Sequence, residues 1–225
     1  PALPLRLHRR HGNARAKARA RRHGREEADP VVAVVEHTAD AFRHYAYLGT
    51  GNFNEKTARI YADHALLTAD PRLTDDVRRV FAYLEGEEEQ PVFEHLFVAP
   101  FYLRKAFNRL VDAETKRAKR GDAAGMILKM NSLEDRKMID RLYRAASAGV
   151  DVQLVVRGIC CLVPGVEGQS THIAARSIVD RFLEHARIYR FHAGGKDRMY
   201  LSSADWMTRN LDRRIEVAFP ILDPT

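Results

Sequence analysis

His185 and Arg187 stand two residues apart in SIVDRFLEHARIYRF, at the mouth of an apolar run. An imidazole can pass a proton or attack a phosphorus atom, and a guanidinium can hold phosphate charge through paired N–H donors. Successive strand side chains point to opposite faces, so if Ala186 to Phe191 is a strand, the two groups project to the same side. A solvated pair at a strand end would have the same spacing, and spacing leaves both readings open. Other polar groups stand where a phosphate could be met. Gly49 and Gly51 allow tight backbone geometry, while Asn52 and Asn54 carry amides, although a polar turn ahead of a helix would also read GTGNFN. Lys129 and Asn131 share one face of a strand, and Arg157 sits at a strand end, where α/β proteins place ligand contacts.

The elements that must position these residues follow from hydrophobic pattern and punctuation. VVAVV from Val31, the turn EHTAD and the run FRHYAYL predict a hairpin. A helix is expected from Thr74, which can cap it, with Asp75 and Asp76 in its first turn and Val77, Phe81 and Leu84 on one face. The acidic EGEEEQP, Glu85 to Pro91, reads as a solvated loop, and Leu96 to Ala99 as a short strand. A second helix is expected over Tyr102 to Arg120, with Leu103, Phe107, Leu110 and Glu114 a turn apart and Gly121 ending it. Met126 to Met130 reads as a strand, Ser132 to Asp135 as a capping box, and Ile139, Leu142, Tyr143 and Ala146 as the buried face of a helix stopping at Gly149. Asp151 to Arg157 is nearly all apolar, which predicts a strand buried on both faces. Strand, helix, strand is a crossover unit, and the fold class is α/β. The long loop from Gly158 to His172 is of a length that is often functional.

At 225 residues the chain can bury a real core as one domain or two, and its 45% hydrophobic and 30% charged content is that of a globular protein. No apolar run reaches the roughly 18 residues of a spanning helix, and a cytoplasmic location is expected, membrane association being compatible with it. Cys160 and Cys161 are neighbours and cannot staple distant segments, which predicts reduced thiols in the core. The net charge of +7 is concentrated at one end: residues 1 to 25 hold eight Arg, one Lys and no acids, and the remaining 28 basic and 30 acidic residues leave −2. Without interleaved aromatics that arm lacks a single-strand stacking face, so no nucleic-acid partner is expected.

GTGNFNEKTAR and SSADWMTRNLD align, each after a hairpin ending in Leu48 or Leu201: Thr50 faces Ser203, Gly51 Ala204, Asn52 Asp205 and Phe53 Trp206. A polar cluster following a hairpin twice marks a duplicated α/β unit. Together with LLTADPRLTDDVRRVF, VRGICCLVPG and RSIVDRFLEHARIY, these phrases resemble the C-terminal half of the long bacterial polyphosphate kinases over about Val31 to Pro224. The resemblance implies two tandem phospholipase D-like α/β units, the first incomplete: a remnant of the first over residues 31–100 and a C-terminally truncated second over 101–225. It implies reversible transfer of the terminal phosphate of ATP to polyphosphate through a phosphohistidine, with ATP or ADP and polyphosphate as partners, Mg2+ neutralising phosphate charge, and a homo-oligomeric parent enzyme. Residue by residue, Tyr61 corresponds to a nucleotide contact packing on the adenine and Arg157 to a phosphate-binding arginine. His185 corresponds to the second active-site histidine, beside Arg187. No metal ligand is carried over.

The first copy departs from that pattern. The family's His-x-Lys, whose histidine takes up the phosphate, falls on Ala28, Asp29 and Pro30, which cannot do that chemistry. His23 lies in the leader, and His37 and His44 lie inside the hairpin. Residues 1–30 therefore read as a disordered or non-native leader, and the fragment alone is expected to be inactive. Arg, Ala, Gly and Pro are what GC-rich codons yield in any frame; a shifted frame is the expectation, and a search of the upstream DNA for His-x-Lys in the other frames tests it. Phospholipase D-like turnover of another phosphoester and a silent polyanion-binding module are the alternatives.

Overall fold

The computed structural model describes residues 31–37, 42–51 and 53–222. The leader and the positions of the missing His-x-Lys lie outside them, as does Asn52. The expected hairpin is formed by β1 (Val31–His37) and β2 (Phe42–Gly49), antiparallel, with Val31 opposite Leu48. After a single 3₁₀ turn at Thr57–Arg59 come β3 (Tyr61–Ala62) and β4 (Ala65–Thr68), and β4 completes a three-stranded sheet in the order β1, β2, β4.

Helix α1 spans Pro71–Glu85. It starts ahead of the expected cap at Thr74. The side chain of Asp70 accepts from the Arg72 N–H at 2.9 Å, and Pro71 occupies the first helical position, where a missing N–H leaves no bond unmade. Thr74 is buried instead. Asp76, expected to complement the helix dipole, has a tertiary role: it is buried and accepts the N–H groups of Glu94, His95 and Leu96 at 3.0, 2.7 and 2.9 Å. That clamp delivers the chain to β5 (Phe97–Val98).

The second sheet has seven strands in the order β5, β12 (Val217–Pro220), β11 (Arg198–Ser202), β10 (Arg187–Phe191), β6 (Gly125–Met130), β7 (Asp151–Val156) and β8 (Ile173–Arg176). Helices α2 (Leu103–Lys119) and α3 (Arg136–Ser147) lie on one face, and β6 and β7 are parallel across α3, as the crossover pattern predicts. The cap of α3 is Asp135, which accepts from Met138 N–H at 3.0 Å, so the capping box beginning at Ser132 is corrected. Arg104, Thr208 and that N–H outweigh the upward push of partial burial and hold the Asp135 carboxyl near 2.

Period-two alternation sorts this sheet between two cores. Met126, Leu128, Tyr189, Phe191 and Tyr200 face α2 and α3, while Ile188, Leu201, Val217 and Phe219 face α1 and β2. The second core thus draws on both halves of the chain. Strand β7 is fully buried on one face only, with Gln153 and Val155 half-buried on the other, because among the described residues no helix covers β6 and β7 there as α1 covers β11 and β12. Cys160 and Cys161 are free, as expected, but exposed on the loop after β7 and not in the core. Among the described residues no helix is long and apolar enough to cross a membrane.

Candidate functional site

Two short parallel strands bring the halves of the chain together. β3 pairs with β9 (Leu183–Glu184), Tyr61 opposite Leu183 and Ala62 opposite Glu184. The N–H groups of His185 and Ala186 both reach Ala62 O, at 3.2 and 3.0 Å. This ladder sets Asp63, the next residue, beside the imidazole: His185 Nδ1 lies 2.8 Å from Asp63 Oδ1. Thr50 Oγ1 donates to the same oxygen at 2.9 Å and accepts His64 N–H at 3.0 Å. Gly51 is required here, because a Cβ on it would come 2.1 Å from Asp63 Oδ2.

His185 and Arg187 do project to the same side. Arg187 Nη1 stands 3.2 Å from His185 Nε2, and the guanidinium is buried in an ion pair with Asp205, at 3.1 Å from Nε to Oδ1 and from Nη2 to Oδ2. Nη1 also donates to Thr50 O at 2.8 Å, so one guanidinium ties the second polar cluster to the first. Partial burial pushes the Asp63 carboxyl up, but the His185 hydrogen bond and charge, the Thr50 hydroxyl and Arg187 together hold it below its ordinary range. A carboxylate can only accept, so Nδ1 carries the proton and Nε2 faces the Arg187 guanidinium.

Asn131 supports the loop from below. Its amide N–H donates to His185 O at 3.1 Å, its backbone N–H to Asp205 Oδ1 at 2.8 Å, and its side-chain oxygen accepts from Arg157 Nε at 3.0 Å. Arg157 is thereby placed one side chain away from the His185 backbone. Lys129, on the same strand face as expected, donates to Ala186 O at 2.9 Å and pairs with Glu184 at 3.2 Å. Tyr61 packs its ring on the imidazole, centroids 4.6 Å apart.

Two carboxylates of this candidate site, Asp63 and Glu216, are not among the residues singled out from the sequence. The repeat contains the signal: Thr50 and Asp63 are 13 residues apart, and so are Ser203 and Glu216. Ser203 donates its hydroxyl to Glu216 Oε2, Asn210 Nδ2 donates to Oε1 at 2.6 Å, and Ser203 Oγ accepts Val217 N–H at 3.1 Å. Burial pushes the Glu216 carboxyl up to about 7, against the pull of Ser203, Asn210, Arg187 and Arg214. Beside it opens a cavity of about 230 Å³ whose walls include His185, Arg187, Asp205, Arg209, Arg214 and Glu216. Tyr61 and Arg157 are not among its walls. Three guanidinium groups around so small a space favour an anion of phosphate size.

Among the described residues no group of three or more His, Cys, Asp or Glu could hold a metal ion. Asp63 and Asp205 are engaged by His185 and Arg187, Glu216 is engaged by Ser203 and Asn210, and three guanidinium groups share the wall, so these residues do not fit a protein-held Mg2+.

The family model described as "Polyphosphate kinase C-terminal domain 2" matches residues 96–225, and "Polyphosphate kinase C-terminal domain 1" matches residues 28–90. The chain is 55% identical over 180 residues to a polyphosphate kinase of Escherichia coli strain K12, covering 80% of this chain and 26% of that protein. It is 50% identical over 191 residues to a polyphosphate kinase of Halalkalibacterium halodurans, covering 85% and 27%. The crystal structure of a polyphosphate kinase from Porphyromonas gingivalis superposes with a TM-score of 0.81 at 47% identity, covering 86% of this chain and 30% of that one. The chain therefore spans about a quarter of the length of the curated relatives it matches.

Proposed function

The chain belongs to the polyphosphate kinase family, and from that premise we propose that it carries one half of a phosphotransfer centre for ATP and polyphosphate. In the complete reaction a histidine nitrogen attacks the terminal phosphorus of ATP, the N–P bond forms as the bond to the β-phosphate oxygen breaks, and ADP leaves with the electron pair. The terminal oxygen of a phosphate chain then attacks the phosphohistidine, and the N–P bond breaks. His185 is the partner to that nucleophile. Asp63 fixes its ring through Nδ1, so His185 and the Arg187 guanidinium together stabilise the transferred phosphate, and Arg187 neutralises the developing charge. Arg157 binds phosphate, and Tyr61 contacts the nucleotide. Mg2+ belongs to the nucleotide, since the described side chains do not form a site for it. The two halves correspond to a first phospholipase D-like unit over 31–100 and a second over 101–225, and the assembled enzyme is a homo-oligomer.

The observation that carries the proposal is the geometry at His185: Asp63 at 2.8 Å on Nδ1 and Arg187 at 3.2 Å on Nε2, around a cationic cavity. The test is incubation of the chain with γ-labelled ATP and magnesium, beside titration with polyphosphate. Phosphate binding that His185→Ala or Arg157→Gln weakens, without label on the protein, is the expected result. An acid-labile phosphohistidine on this chain would refute the assignment of His185 as the partner, and phosphate binding indifferent to both substitutions would refute the site.

A further inference from the structure

A second phosphate-sized space lies away from this centre. Helices α2 and α3 pack side by side with their N-terminal ends joined: Arg104 pairs with Asp135 at 2.7 Å. Toward their C-terminal ends they part around a groove of about 490 Å³, lined by Thr115, Lys116 and Lys119 from one helix and Arg141, Arg144 and Ser147 from the other. On α2 these positions, with Asp112, follow the i, i+3, i+4, i+7 rule, and on α3 they are a turn or two apart, so each helix turns one stripe toward the groove. Asn131 and Arg157, the residues that follow β6 and β7, stand beside His185, and α3 runs back from there for roughly 18 Å. The groove is therefore at the opposite edge of the sheet.

Cations are ordinary near helix C-termini, where they complement the dipole. Convergence separates the groove from that ordinary case, because cations of two helices share one space. Elsewhere on these helices Arg117 pairs with Glu114 at 2.9 Å, Arg120 with Asp122 at 2.9 Å and Arg136 with Asp140 at 3.9 Å, while Lys105 and Lys137 are exposed without a carboxylate partner among the described residues. Within the groove, Lys116, Lys119 and Arg144 are exposed and have no carboxylate partner among the described residues. Arg141 reaches Asp112 with Nη1, yet its Nε is buried with no acceptor. No aromatic side chain lines it, so it offers charge and hydroxyls but no stacking surface for a base.

We propose that the α2–α3 groove is a second binding site for a linear phosphate chain, separate from the His185 centre. The anion site stands on the groove itself, while inorganic polyphosphate as its ligand rests on the function proposed above.

End-labelled inorganic polyphosphate is titrated into the full chain across a salt series, with fluorescence anisotropy as the readout. Lys116→Glu/Arg144→Glu is compared with the equally charged control Lys105→Glu/Arg136→Glu, all four positions being exposed, and with Arg157→Gln at the His185 centre. Melting temperatures are taken alongside. The groove pair is expected to weaken binding by roughly tenfold at low salt and by less as salt rises, and the control pair by less than about twofold. Equal losses in the two pairs, or none in either, would overturn the proposal. So would an oligodeoxythymidine of matched charge that binds as tightly with the same dependence on Lys116 and Arg144. If Arg157→Gln is silent while the groove pair is not, the groove stands and the reading of the His185 centre fails; the reverse pattern fails the groove alone.

Discussion

The two halves build the same device from different residues. In one, Thr50 donates to Asp63; in the other, 13 residues also separate Ser203 from the Glu216 to which it donates. Asp63 then meets an imidazole and is held low, whereas Glu216, among the described residues, meets a hydroxyl and an amide as side-chain hydrogen-bond donors and is driven up by burial to about 7. The lesson is that duplication preserves the hydroxyl–carboxylate frame, and the proton affinity of each carboxylate is set by what stands on its far side. Asp63 has its histidine from the other half; Glu216 faces a cavity.

Arg187 is the group through which the halves feel each other, and removing it breaks the comparison most severely. It donates to Thr50 O in one cluster and is paired with Asp205 in the other, both partners being buried. Arg187→Ala leaves the Asp205 charge uncompensated and is expected to destabilise the chain by about 3–5 kcal/mol in urea unfolding. Arg187→Ala/Asp205→Asn should recover part of that loss, because the orphaned charge is gone. A single variant within about 1 kcal/mol of the parent would show that the clusters do not depend on each other.

Glu216→Gln sharpens the contrast by removing the proton. A carboxyl raised from its ordinary 4.5 to about 7 binds its proton more tightly folded than unfolded, so its effect on stability is absent below pH 4.5, grows against the fold as pH rises, and is complete above about 7. The sign is opposite for Asp63, whose lowered value stabilises the fold above its ordinary 3.8 and is lost as pH falls through the folded value. Between pH 5 and pH 8 the parent should therefore lose up to ~3 kcal/mol relative to Glu216→Gln. Asp63→Asn should leave that window unchanged and flatten the acid limb instead. Parallel slopes for the parent and Glu216→Gln between pH 5 and 8 would contradict the buried, protonated reading of Glu216.

Local pattern made much of this legible. The hairpin, the β6–α3–β7 crossover and the shared face of His185 and Arg187 all follow from alternation and punctuation, because each depends on neighbours in sequence. Expectations fail where a distant contact overrides a local signal. Thr74 carries a cap's chemistry but is buried under the second core, and the cap passes to Asp70. Cys160 and Cys161 read as core residues by type, yet they follow β7 onto an exposed loop whose backbone is tied to Leu133, Cys161 N–H reaching Leu133 O at 2.9 Å. The contact between Asp63 and His185 spans 122 residues and runs through the two-rung β3–β9 ladder, too short to leave a periodic trace. The matched 13-residue spacing marks Asp63 as the counterpart of Glu216 but carries no sign of the histidine it meets.

The smallest expected effect is the most discriminating. Thr50→Val and Ser203→Ala each delete one hydroxyl from the common frame, and each should cost about 1 kcal/mol through the lost hydrogen bond. What separates them is pH. Asp63 stays ionised above pH 5, with His185 still donating to it, so the coupling between Thr50→Val and Asp63→Asn in a double-mutant cycle should be the same at pH 5 and pH 8. Glu216 changes its proton within that interval, and Ser203 is one of its two side-chain donors. A hydroxyl donating to a carboxylate is the stronger bond, so the Ser203–Glu216 coupling should rise on crossing about pH 7. If both couplings were flat, the two halves would be equivalent in energy as well as in spacing, and the different chemistry assigned to their carboxylates would have to be abandoned.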